Sequence, residues 1–560
     1  MIRSCFLIFV VVLGAVSCSQ RQSNHIQYQI TSIEEDTIAQ LQVTMSFLPS
    51  KDGVTVLEYP DNAWGQEDLH NAIKSMEIKD VQGEIEANRD SGWITLKHPK
   101  NLKELKFQYV LQQDFSGPIT SRKTYRPIIQ PEYFHTFSHN LFMVPQTVGD
   151  TLDVDLTWGG LSADEVVHNS FGSNKKEQQV SAITKIKFLE SIFVGGDFTI
   201  DEITINGNSV FLATRGDWVP FSVDEIKGLL KETMENQRNF WEDHSQEYFT
   251  VTMQPIFQSN GSSYQGTGLT NSFATSFSNN EFMEIGQMVH LFNHELMHNW
   301  IGGVIKNKNE EEQYWFSEGF TEYYTYKNVA RNQINGLDGS YLIKSINDLV
   351  KNLYSLSIKE APNSEMNYEN FWSNPEYQKL PYYRGALVAF YLDYSIMNES
   401  KGERSLDNLM KDILKSAQED DQKLDHAFFL EMLKIYLPED SEEIFETYIE
   451  NGTLLPLAEF YEAMGFRYTS EINVFDLGFQ FTEDRRGILS VAPGSEADKT
   501  GLRPGDKIIS QSIWFGNTEY PAEIGVDRNG KQLNFSFKPV RAENVANLVN
   551  SIENIEKLKL

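Results

Sequence analysis

The 560-residue sequence predicts a multidomain α+β protein. Two observations carry this prediction. Short apolar strands alternate with turn residues in the N-terminal part, the middle of the chain changes to helical spacing, and strands with glycine-rich turns return near the C-terminus. A chain of this length is also too long to fold around a single core. We therefore expect two to four domains, each with its own core.

The composition predicts a folded, strongly acidic protein. Hydrophobic residues make up 40% of the chain and aromatic residues 12%, which is enough for packed cores and excludes a largely disordered chain. The formal net charge is −31, from 48 Lys and Arg against 79 Asp and Glu. Such a surface repels nucleic acid and anionic membranes, so neither is expected as a main partner.

Residues 1–17 are predicted to be a signal peptide for export, because Arg3 precedes an apolar run from Cys5 to Val12 that is too short to span a bilayer. The small residues before Cys18 resemble a bacterial lipoprotein cleavage site. Cleavage there would leave a lipid on Cys18, which predicts a periplasmic or cell-envelope location and membrane contact only through that lipid. An ordinary cleaved signal is the alternative. Cys5 and Cys18 are the only cysteines, so no disulfide is expected in the mature protein.

Residues 24–165 are predicted to form an N-terminal antiparallel β domain, as in the alternating segments 41–47 and 105–110. Residues 166–464 are assigned to one α+β domain. Its strands are followed by a long amphipathic helix over 223–244, and a helical lobe is expected from residue 317 onwards.

A catalytic metal site is predicted on a helix over 285–300. His294 and His298 are four residues apart, so their imidazoles point the same way and can share one metal ion. Glu295 lies beside that face, where it can act as a general base on the attacking water. Glu318 supplies the third ligand. Three protein ligands and one open position are typical of catalytic zinc, so one Zn²⁺ per chain is expected.

Glu322 lies one helical turn after Glu318. A carboxylate at this position can accept the distal N–H of a metal-binding imidazole and fix its orientation. The alternative is an exposed helical acid. His290 lies one turn before His294, but helix geometry favours packing over metal binding for this side chain.

The last strand-rich region contains the segments Leu477–Phe481, Gly487–Val491, Ala492–Ala497 and Gly501–Asp506. On these segments, residues 465–540 resemble a PDZ domain of the bacterial type. A PDZ domain takes an extended peptide as an added strand and clamps its C-terminal carboxylate in a loop before the edge strand. The resemblance places that loop at Leu477, Gly478 and Phe479. The alternative is a structural module that binds no peptide. Residues 541–560 are predicted to form a C-terminal helix.

Together these features resemble the glycyl aminopeptidase family of zinc metallopeptidases, which are gluzincins. The aminopeptidase N family is a more distant relative. The resemblance implies a β-sandwich-like N-terminal domain, a thermolysin-like α+β catalytic domain with a helical lobe, and a C-terminal PDZ domain. It also implies hydrolysis of peptide or protein substrates. The short spacing between the zinc helix and the Glu-Gly-Phe-Thr block at 318–321 favours the aminopeptidase N family.

The resemblance also assigns a role to Tyr382. Both families carry a tyrosine before x-[KR]-G at the start of a helix, and Tyr382 fits this pattern. The phenol would donate a hydrogen bond to the oxyanion that forms at the peptide carbonyl. Such a donor is worth about 2.7 to 4 kcal/mol in comparable sites.

Substrate binding is expected at Gly268, Leu269, Thr270 and Asn271. Relatives bind the substrate N-terminus with a glutamate in a loop of the form G-x-[LM]-E-[NH], and Thr270 stands at the position of that glutamate. A hydroxyl carries no charge, so the substrate amine loses its main anchor. The other three residues still fit a strand edge that pairs with the substrate backbone.

An aminopeptidase is the favoured function, with another acid such as Glu281 or Glu284 replacing the missing glutamate. Two alternatives stay open from the sequence. One is an endopeptidase of the same fold, because a cleft without an amine anchor accepts longer peptides. The other is a non-catalytic, PDZ-bearing protein that binds peptides on a peptidase scaffold.

Overall fold

A computed structural model describes residues 24–560 of the chain. The chain divides into two compact units, one ending at Leu291 and one running from Phe292 to Leu560. The predicted signal peptide and Cys18 lie outside the described residues. None of the helices within residues 24–560 combines the length and the hydropathy that a membrane span requires.

The first unit is built mainly from β-strands. Its helices are α1 (Ser138–Leu141), α2 (Lys185–Leu189), α3 (Val223–Trp241) and α4 (Ile285–Met297), the last of which continues into the second unit. Its strands are β1 (His25–Glu35), β2 (Ile38–Phe47), β3 (Val54–Glu58), β4 (Ile73–Lys79), β5 (Glu84–Asn88), β6 (Trp93–Lys97), β7 (Leu105–Gln112), β8 (Ile128–Ile129), β9 (Tyr133–Phe137), β10 (Val144–Pro145), β11 (Thr151–Gly159), β12 (Val166–Asn169), β13 (Gly172–Ser173), β14 (Glu177–Thr184), β15 (Ile192–Gly196), β16 (Thr199–Ile205), β17 (Asn208–Thr214), β18 (Tyr248–Ile256), β19 (Tyr264–Leu269) and β20 (Ser272–Ser278).

The N-terminal β domain contains a six-stranded sheet in the order β14-β11-β1-β2-β7-β4 and a four-stranded sheet in the order β10-β3-β6-β5. Alternate residues of these strands point into one shared core, as Tyr28 and Ile30 do from β1 and Ile94 and Leu96 from β6. Most of the pairing is antiparallel, as predicted, but β1 pairs with β11 in parallel. The β domain and the α+β class are therefore confirmed.

The N-terminal domain extends beyond the predicted boundary at residue 165. Strand β14 pairs with β11 in the six-stranded sheet, and β15 pairs with β9 in a five-stranded sheet. Val167, Val180 and Phe193 are buried in the same core as the earlier strands. Alternation predicts a strand but not its sheet, so the sequence did not indicate that strands after residue 165 return to the N-terminal domain.

A second five-stranded sheet, in the order β16-β17-β18-β20-β19, completes the first unit. Helix α3 connects β17 to its parallel neighbour β18. The helix begins with a capping box, in which Ser222 Oγ accepts from the backbone N–H of Glu225 and the Glu225 carboxylate accepts from the N–H of Ser222. Strand β19 lies at the edge of the sheet, antiparallel to β20.

The second unit carries the predicted helical lobe. Its strands are β21 (Tyr468–Thr469), β22 (Ile472–Phe475), β23 (Phe479–Phe481), β24 (Ile488–Val491), β25 (Lys507–Ser512), β26 (Ala522–Arg528), β27 (Lys531–Phe537), β28 (Val540–Glu543) and β29 (Asn547–Leu548). Its helices are α5 (Tyr314–Ser317), α6 (Gly319–Asn332), α7 (Gly339–Ser355), α8 (Tyr368–Ser373), α9 (Pro375–Glu399), α10 (Leu406–Asp420), α11 (His426–Tyr436), α12 (Ser441–Ile444), α13 (Leu457–Ala463), α14 (Glu496–Thr500) and α15 (Ile552–Lys557), with a π-helical turn at Phe445–Glu450.

The C-terminal strands have a small core of their own, which includes Phe479, Ile488 and Ile524. This region does not end at residue 540, because β28 pairs with β22 and β29 pairs with β21. The predicted helix over 541–560 is wrong for most of its length, since only Ile552–Lys557 is helical. The charged composition resembled a helix, but the segment instead supplies edge strands to residues 468–475.

Candidate metal and catalytic site

Helix α4 carries the two histidines of the predicted metal site. His294 and His298 are four positions apart in the sequence, and their Nε2 atoms lie 3.2 Å apart. The two imidazole rings meet nearly edge to face, with centroids 4.9 Å apart. The helical spacing therefore brings two nitrogen ligands to one point, as expected.

Glu318, the third predicted ligand, lies between α5 and α6. Its Oε2 atom is 3.4 Å from His294 Nε2 and 3.5 Å from His298 Nε2. This oxygen is buried and has no hydrogen-bond partner within residues 24–560. Ligands about 2.0 to 2.1 Å from a tetrahedral zinc ion are separated by about 3.3 to 3.4 Å, so the three atoms fit a zinc ion.

The hydrogen bonds behind the two imidazoles determine which nitrogens face the centre. His294 Nδ1 lies 2.9 Å from Glu322 Oε2, and His298 Nδ1 lies 3.0 Å from the carbonyl oxygen of Ile301. Both partners only accept, so each Nδ1–H donates and each Nε2 presents a lone pair. Two lone pairs and a carboxylate oxygen that face one another repel, unless a cation lies between them. The donor set therefore fits a bound metal ion.

The charge of Glu318 also suits a metal ligand. Burial raises the pKa of this carboxyl group, whereas positive charge on the imidazoles of His298 and His294, when they carry a second proton, lowers it by more. Glu318 is therefore ionised when a positive charge lies beside it, and a bound metal ion supplies such a charge.

Glu322 orients His294 from behind. Besides contacting His294 Nδ1, its carboxylate accepts a hydrogen bond from the hydroxyl of Tyr326. The side chain is buried, so the alternative of an exposed helical acid does not describe it. A carboxylate behind a metal-binding imidazole fixes the ring and increases its basicity.

Tyr382 on α9 lies against the same site. Its ring stacks on the imidazole of His294, with centroids 5.7 Å apart and an interplanar angle of 17°. Burial, together with the charges of Glu318 and Glu295, raises the pKa of Tyr382 well above its usual value. The phenol therefore stays protonated and can donate a hydrogen bond.

Two residues of this site were not singled out from the sequence. Asn307 Nδ2 donates to Glu310 Oε1 at 3.1 Å and to Ser317 Oγ at 2.9 Å, which ties Glu310 to the residue before the third ligand. Glu310 is exposed, but desolvation by the neighbouring protein atoms and the charges of Glu311 and Glu318 raise its pKa. Burial, together with the charges of Glu310, Glu311 and Glu318, raises the pKa of Tyr314. The signal that could have found Glu310 is the acidic run at 310–312.

The predicted substrate-binding residues lie in the first unit. Gly268 and Leu269 end the edge strand β19, while Thr270 and Asn271 form the turn into β20. The backbone N–H of Thr270 donates to the carbonyl of Glu190 at 2.8 Å, and its hydroxyl donates to the carbonyl of Lys187 at 2.7 Å. Thr270 is therefore held by hydrogen bonds to the chain itself.

The predicted carboxylate-binding loop at Leu477, Gly478 and Phe479 already contacts a carboxylate of the chain. The N–H of Gly478 donates to Asp476 Oδ1 at 2.7 Å, and Asp476 Oδ2 accepts from Arg541 Nε at 2.9 Å. Phe479 begins strand β23, which pairs only with β24 among the described strands.

Comparison with known proteins supports the reading of this site. Residues 261–448 match the family described as the peptidase family M1 domain, and this range contains the three predicted metal ligands together with Glu295 and Tyr382. No curated protein sequence matches the chain.

Several solved structures are similar to this one. An aminopeptidase N family protein from Idiomarina loihiensis is 16% identical, with a TM-score of 0.72 over 95% of this chain and 99% of the other. An M1 zinc metallopeptidase mutant from Deinococcus radiodurans is 14% identical, with a TM-score of 0.46 over 78% of this chain and 96% of the other. Leukotriene A4 hydrolase from Saccharomyces cerevisiae is 15% identical, with a TM-score of 0.45 over 79% of this chain and 69% of the other.

The similarity to the Idiomarina loihiensis protein shows the fold, and the family match covers the metal-binding segment. The match is to the family of aminopeptidase N, the relative that the short spacing before Glu318 favoured. Residues 261–448 therefore match a peptidase family M1 domain, and the chain is a zinc metallopeptidase.

Proposed function

We propose that the protein is an exported aminopeptidase, which removes N-terminal residues from peptides. The observation that carries this proposal is the convergence of His294 Nε2, His298 Nε2 and Glu318 Oε2 to within 3.5 Å of one another, next to a protonated phenol. Three ligands with an open side are typical of catalytic rather than structural zinc.

When zinc is bound, it supplies Lewis-acid activation of the carbonyl and lowers the pKa of water to about 7. The chain's own residues then move the protons. Glu295 takes the proton from the attacking water and delivers it to the leaving amine. Tyr382 donates a hydrogen bond to the carbonyl oxygen as negative charge develops there. Glu322 holds His294 in the orientation and tautomer that the site requires.

An exopeptidase needs a carboxylate for the substrate's α-ammonium group, and Glu310 is proposed for this role. Thr270 carries no charge, and its hydroxyl already donates to the carbonyl of Lys187. Glu310, in contrast, is linked through Asn307 to Ser317, and its pKa responds to Glu318. The charges of Glu318 and His298 both influence the pKa of Glu310, and a carboxylate near the metal site can pair with the α-ammonium group of a peptide's first residue.

An endopeptidase is the second candidate, because the residue at position 270 is not a glutamate. If Glu310 does not bind the amine, internal peptide bonds enter the cleft equally well. The preference for an N-terminal glycine, which the glycyl aminopeptidase family suggests, belongs with the exopeptidase mode. Export, with a lipid on Cys18, rests on the signal-like segment at 1–17.

For the PDZ-like region at residues 465–543, we propose a structural role. The loop that would clamp a peptide carboxylate donates the N–H of Gly478 to Asp476. A second carboxylate at this position would be repelled by the first. Leu548 further binds Asn347 of helix α7 through two hydrogen bonds of 2.8 Å, so the C-terminal strands support the helical lobe.

The experiment that tests the function compares matched peptides with free and N-acetylated termini, with and without a zinc chelator. An aminopeptidase cleaves only the free peptides and stops when zinc is removed. Cleavage of both sets shows an endopeptidase. Failure to cleave either set with zinc present contradicts both candidates.

A further inference from the structure

Two histidines lie in one row on a face of the five-stranded sheet with the order β13-β12-β15-β9-β8. His168 of β12 and His135 of β9 both pair with Val194 of β15, one from each side. Residues that pair directly across a sheet point to the same face, so the two imidazoles flank the Val194 side chain. Both histidines are buried, because His168 is 0% and His135 1% exposed.

This face packs against the other five-stranded sheet of the first unit, in the order β16-β17-β18-β20-β19. Val194 is buried in one cluster with Ala213 of β17 and Ala274 of β20. The His168 imidazole is within hydrogen-bond distance of the Thr250 hydroxyl on β18. The contact between these two sheets, the sheet junction, joins the N-terminal β domain to the strands around the predicted substrate-binding turn at residues 268–271.

The sheet junction contains polar atoms that have no partners. Neither ring nitrogen of His135, nor Nδ1 of His168, has a hydrogen-bond partner among the described residues. The same holds for the Thr252 hydroxyl and the Gln254 amide, which alternate with Thr250 along β18 and therefore point to the same face. A cavity of about 10 Å³ beside His135 has room for at most one water molecule.

The two imidazoles are neutral at pH 7. Burial lowers the pKa of His135 to about 4, although its own backbone opposes the shift in part, and burial lowers the pKa of His168 to about 3. No other side chain within residues 24–560 contributes to either shift. The titratable side chains that border the sheet junction are Tyr125, Tyr133, His139, Glu202, Arg215 and Tyr248.

None of these bordering groups supplies a counter-charge to a protonated imidazole. The three phenols are neutral at and below pH 7. Arg215 is itself a cation and pairs with Asp197. Glu202 lies exposed on the edge strand β16. His139 lies on the other side of the Phe137 ring from His135, and burial lowers its pKa to about 4 as well.

We propose that the sheet junction is an acid-sensitive contact, which opens when His135 and His168 take up protons. A protonated imidazole between these sheets is a buried charge without a partner, which is strongly unfavourable. Opening exposes both rings to water and relieves this cost. Because the turn at residues 268–271 connects two strands of one sheet, opening also removes the support of the predicted substrate-binding residues.

The direction of the pH dependence follows from proton linkage. An exposed histidine has a pKa of about 6.5, so the open state binds more protons than the closed state below that pH. The stability that the neutral histidines contribute is therefore fully present above about pH 6.5 and is lost as the pH falls towards 4. In this window each histidine raises the equilibrium constant for opening by roughly tenfold for each pH unit.

The direct test is hydrogen–deuterium exchange of the zinc-loaded full chain at pH 7, 6 and 5, with rates corrected for the intrinsic effect of pH on amide exchange. We expect the protection of β12 and β18 to fall by roughly 10²-fold or more between pH 7 and pH 5. Strands β3 and β6 of the four-stranded sheet should keep their protection. Unchanged protection of β12 and β18 overturns the proposal, as does an equal loss in all strands. The readout needs no peptidase activity, so it is independent of the proposed function.

The double variant His135→Gln with His168→Gln removes both titrating groups and keeps polar side chains. Its β12 and β18 should lose less than about tenfold in protection over the same pH range. His244→Gln, which removes an exposed histidine of the same unit, should open in acid as the unmodified chain does. A folded double variant that opens like the unmodified chain contradicts the proposal. If the double variant does not fold, the pH series of the unmodified chain still decides.

Discussion

Gly319 and Gly385 pack against each other with no side chain between them. A Cβ atom on Gly319 would lie 2.4 Å from the Cα of Gly385, and one on Gly385 would lie 2.1 Å from the carbonyl oxygen of Trp315. This contact brings the start of α6 against α9. Glu318 directly precedes Gly319, and Tyr382 lies one helical turn before Gly385. The contact between the two glycines therefore sets the position of the Tyr382 phenol relative to the predicted metal ligands.

Gly385→Ala tests this crossing. We expect a loss of about 1 to 3 kcal/mol in the free energy of unfolding, because the added methyl group overlaps backbone atoms. The kcat should fall as α9 moves away. Gly228→Ala, on the exposed face of helix α3 where nothing lies within 4 Å, should instead stabilise the protein by about 0.5 to 1 kcal/mol. Equal effects of the two substitutions on unfolding would contradict the account.

Tyr382→Phe removes only the phenolic hydroxyl. We expect kcat to fall by about 10²- to 10³-fold with little change in KM, because the lost hydrogen bond acts on the developing oxyanion. Bound zinc should be unchanged. Tyr383→Phe is the matched control and should leave kcat within about twofold of the unmodified enzyme. A Tyr382→Phe enzyme with normal kcat would remove the phenol from the mechanism.

Glu322→Gln tests the support of His294. The affinity for zinc should fall by about 10- to 100-fold, because the imidazole loses the charged partner of its Nδ1–H. Competition with a zinc-sensitive dye measures this affinity. The exposed acid Glu369, changed to Gln, serves as the control and should bind zinc normally. Unaltered zinc affinity in Glu322→Gln would show that the carboxylate is not needed.

Glu310→Gln tests the proposed amine anchor. We expect KM for peptides with a free N-terminus to rise by roughly 10- to 100-fold, since a hydrogen bond to a charged group contributes about 1.5 to 3 kcal/mol. Glu312→Gln, an exposed neighbour, should have little effect. If the unmodified enzyme cleaves free peptides and Glu310→Gln does so with the same KM, the amine is bound elsewhere.

Local sequence patterns were enough to predict the metal-binding helix. The sequence predicted a helix over 285–300, and the structure has one from Ile285 to Met297. The spacing of His294 and His298 predicts that these two side chains converge, because helical periodicity is a local property, whereas the position of Glu318 depends on how the next helices pack. The family pattern identified Tyr382. The residues around Tyr382 in the sequence do not indicate that it lies near the metal site, because its position depends on how α9 packs.

Other features depend on contacts between distant segments and could not be predicted in this way. Strand β14 joins the N-terminal sheet although it follows residue 165. The importance of Glu310 depends on the bridge that Asn307 makes to Ser317. Arg384 is buried because two distant segments, around Ala361 and Gly452, pack against its guanidinium, which donates to the carbonyl oxygen of Ala361. A single sequence does not indicate which distant side chains come into contact in the folded protein.

The central claim is that the chain is a peptidase that depends on one bound zinc ion. The most direct test measures the metal content and the peptidase activity of the same purified preparation. The account predicts one zinc ion per chain, loss of both zinc and activity on chelation, and recovery of activity with one equivalent of zinc. Glu295→Gln should keep the zinc and lose at least about 100-fold in kcat. A fully active chain without stoichiometric metal would contradict the account, as would a Glu295→Gln variant that keeps full activity.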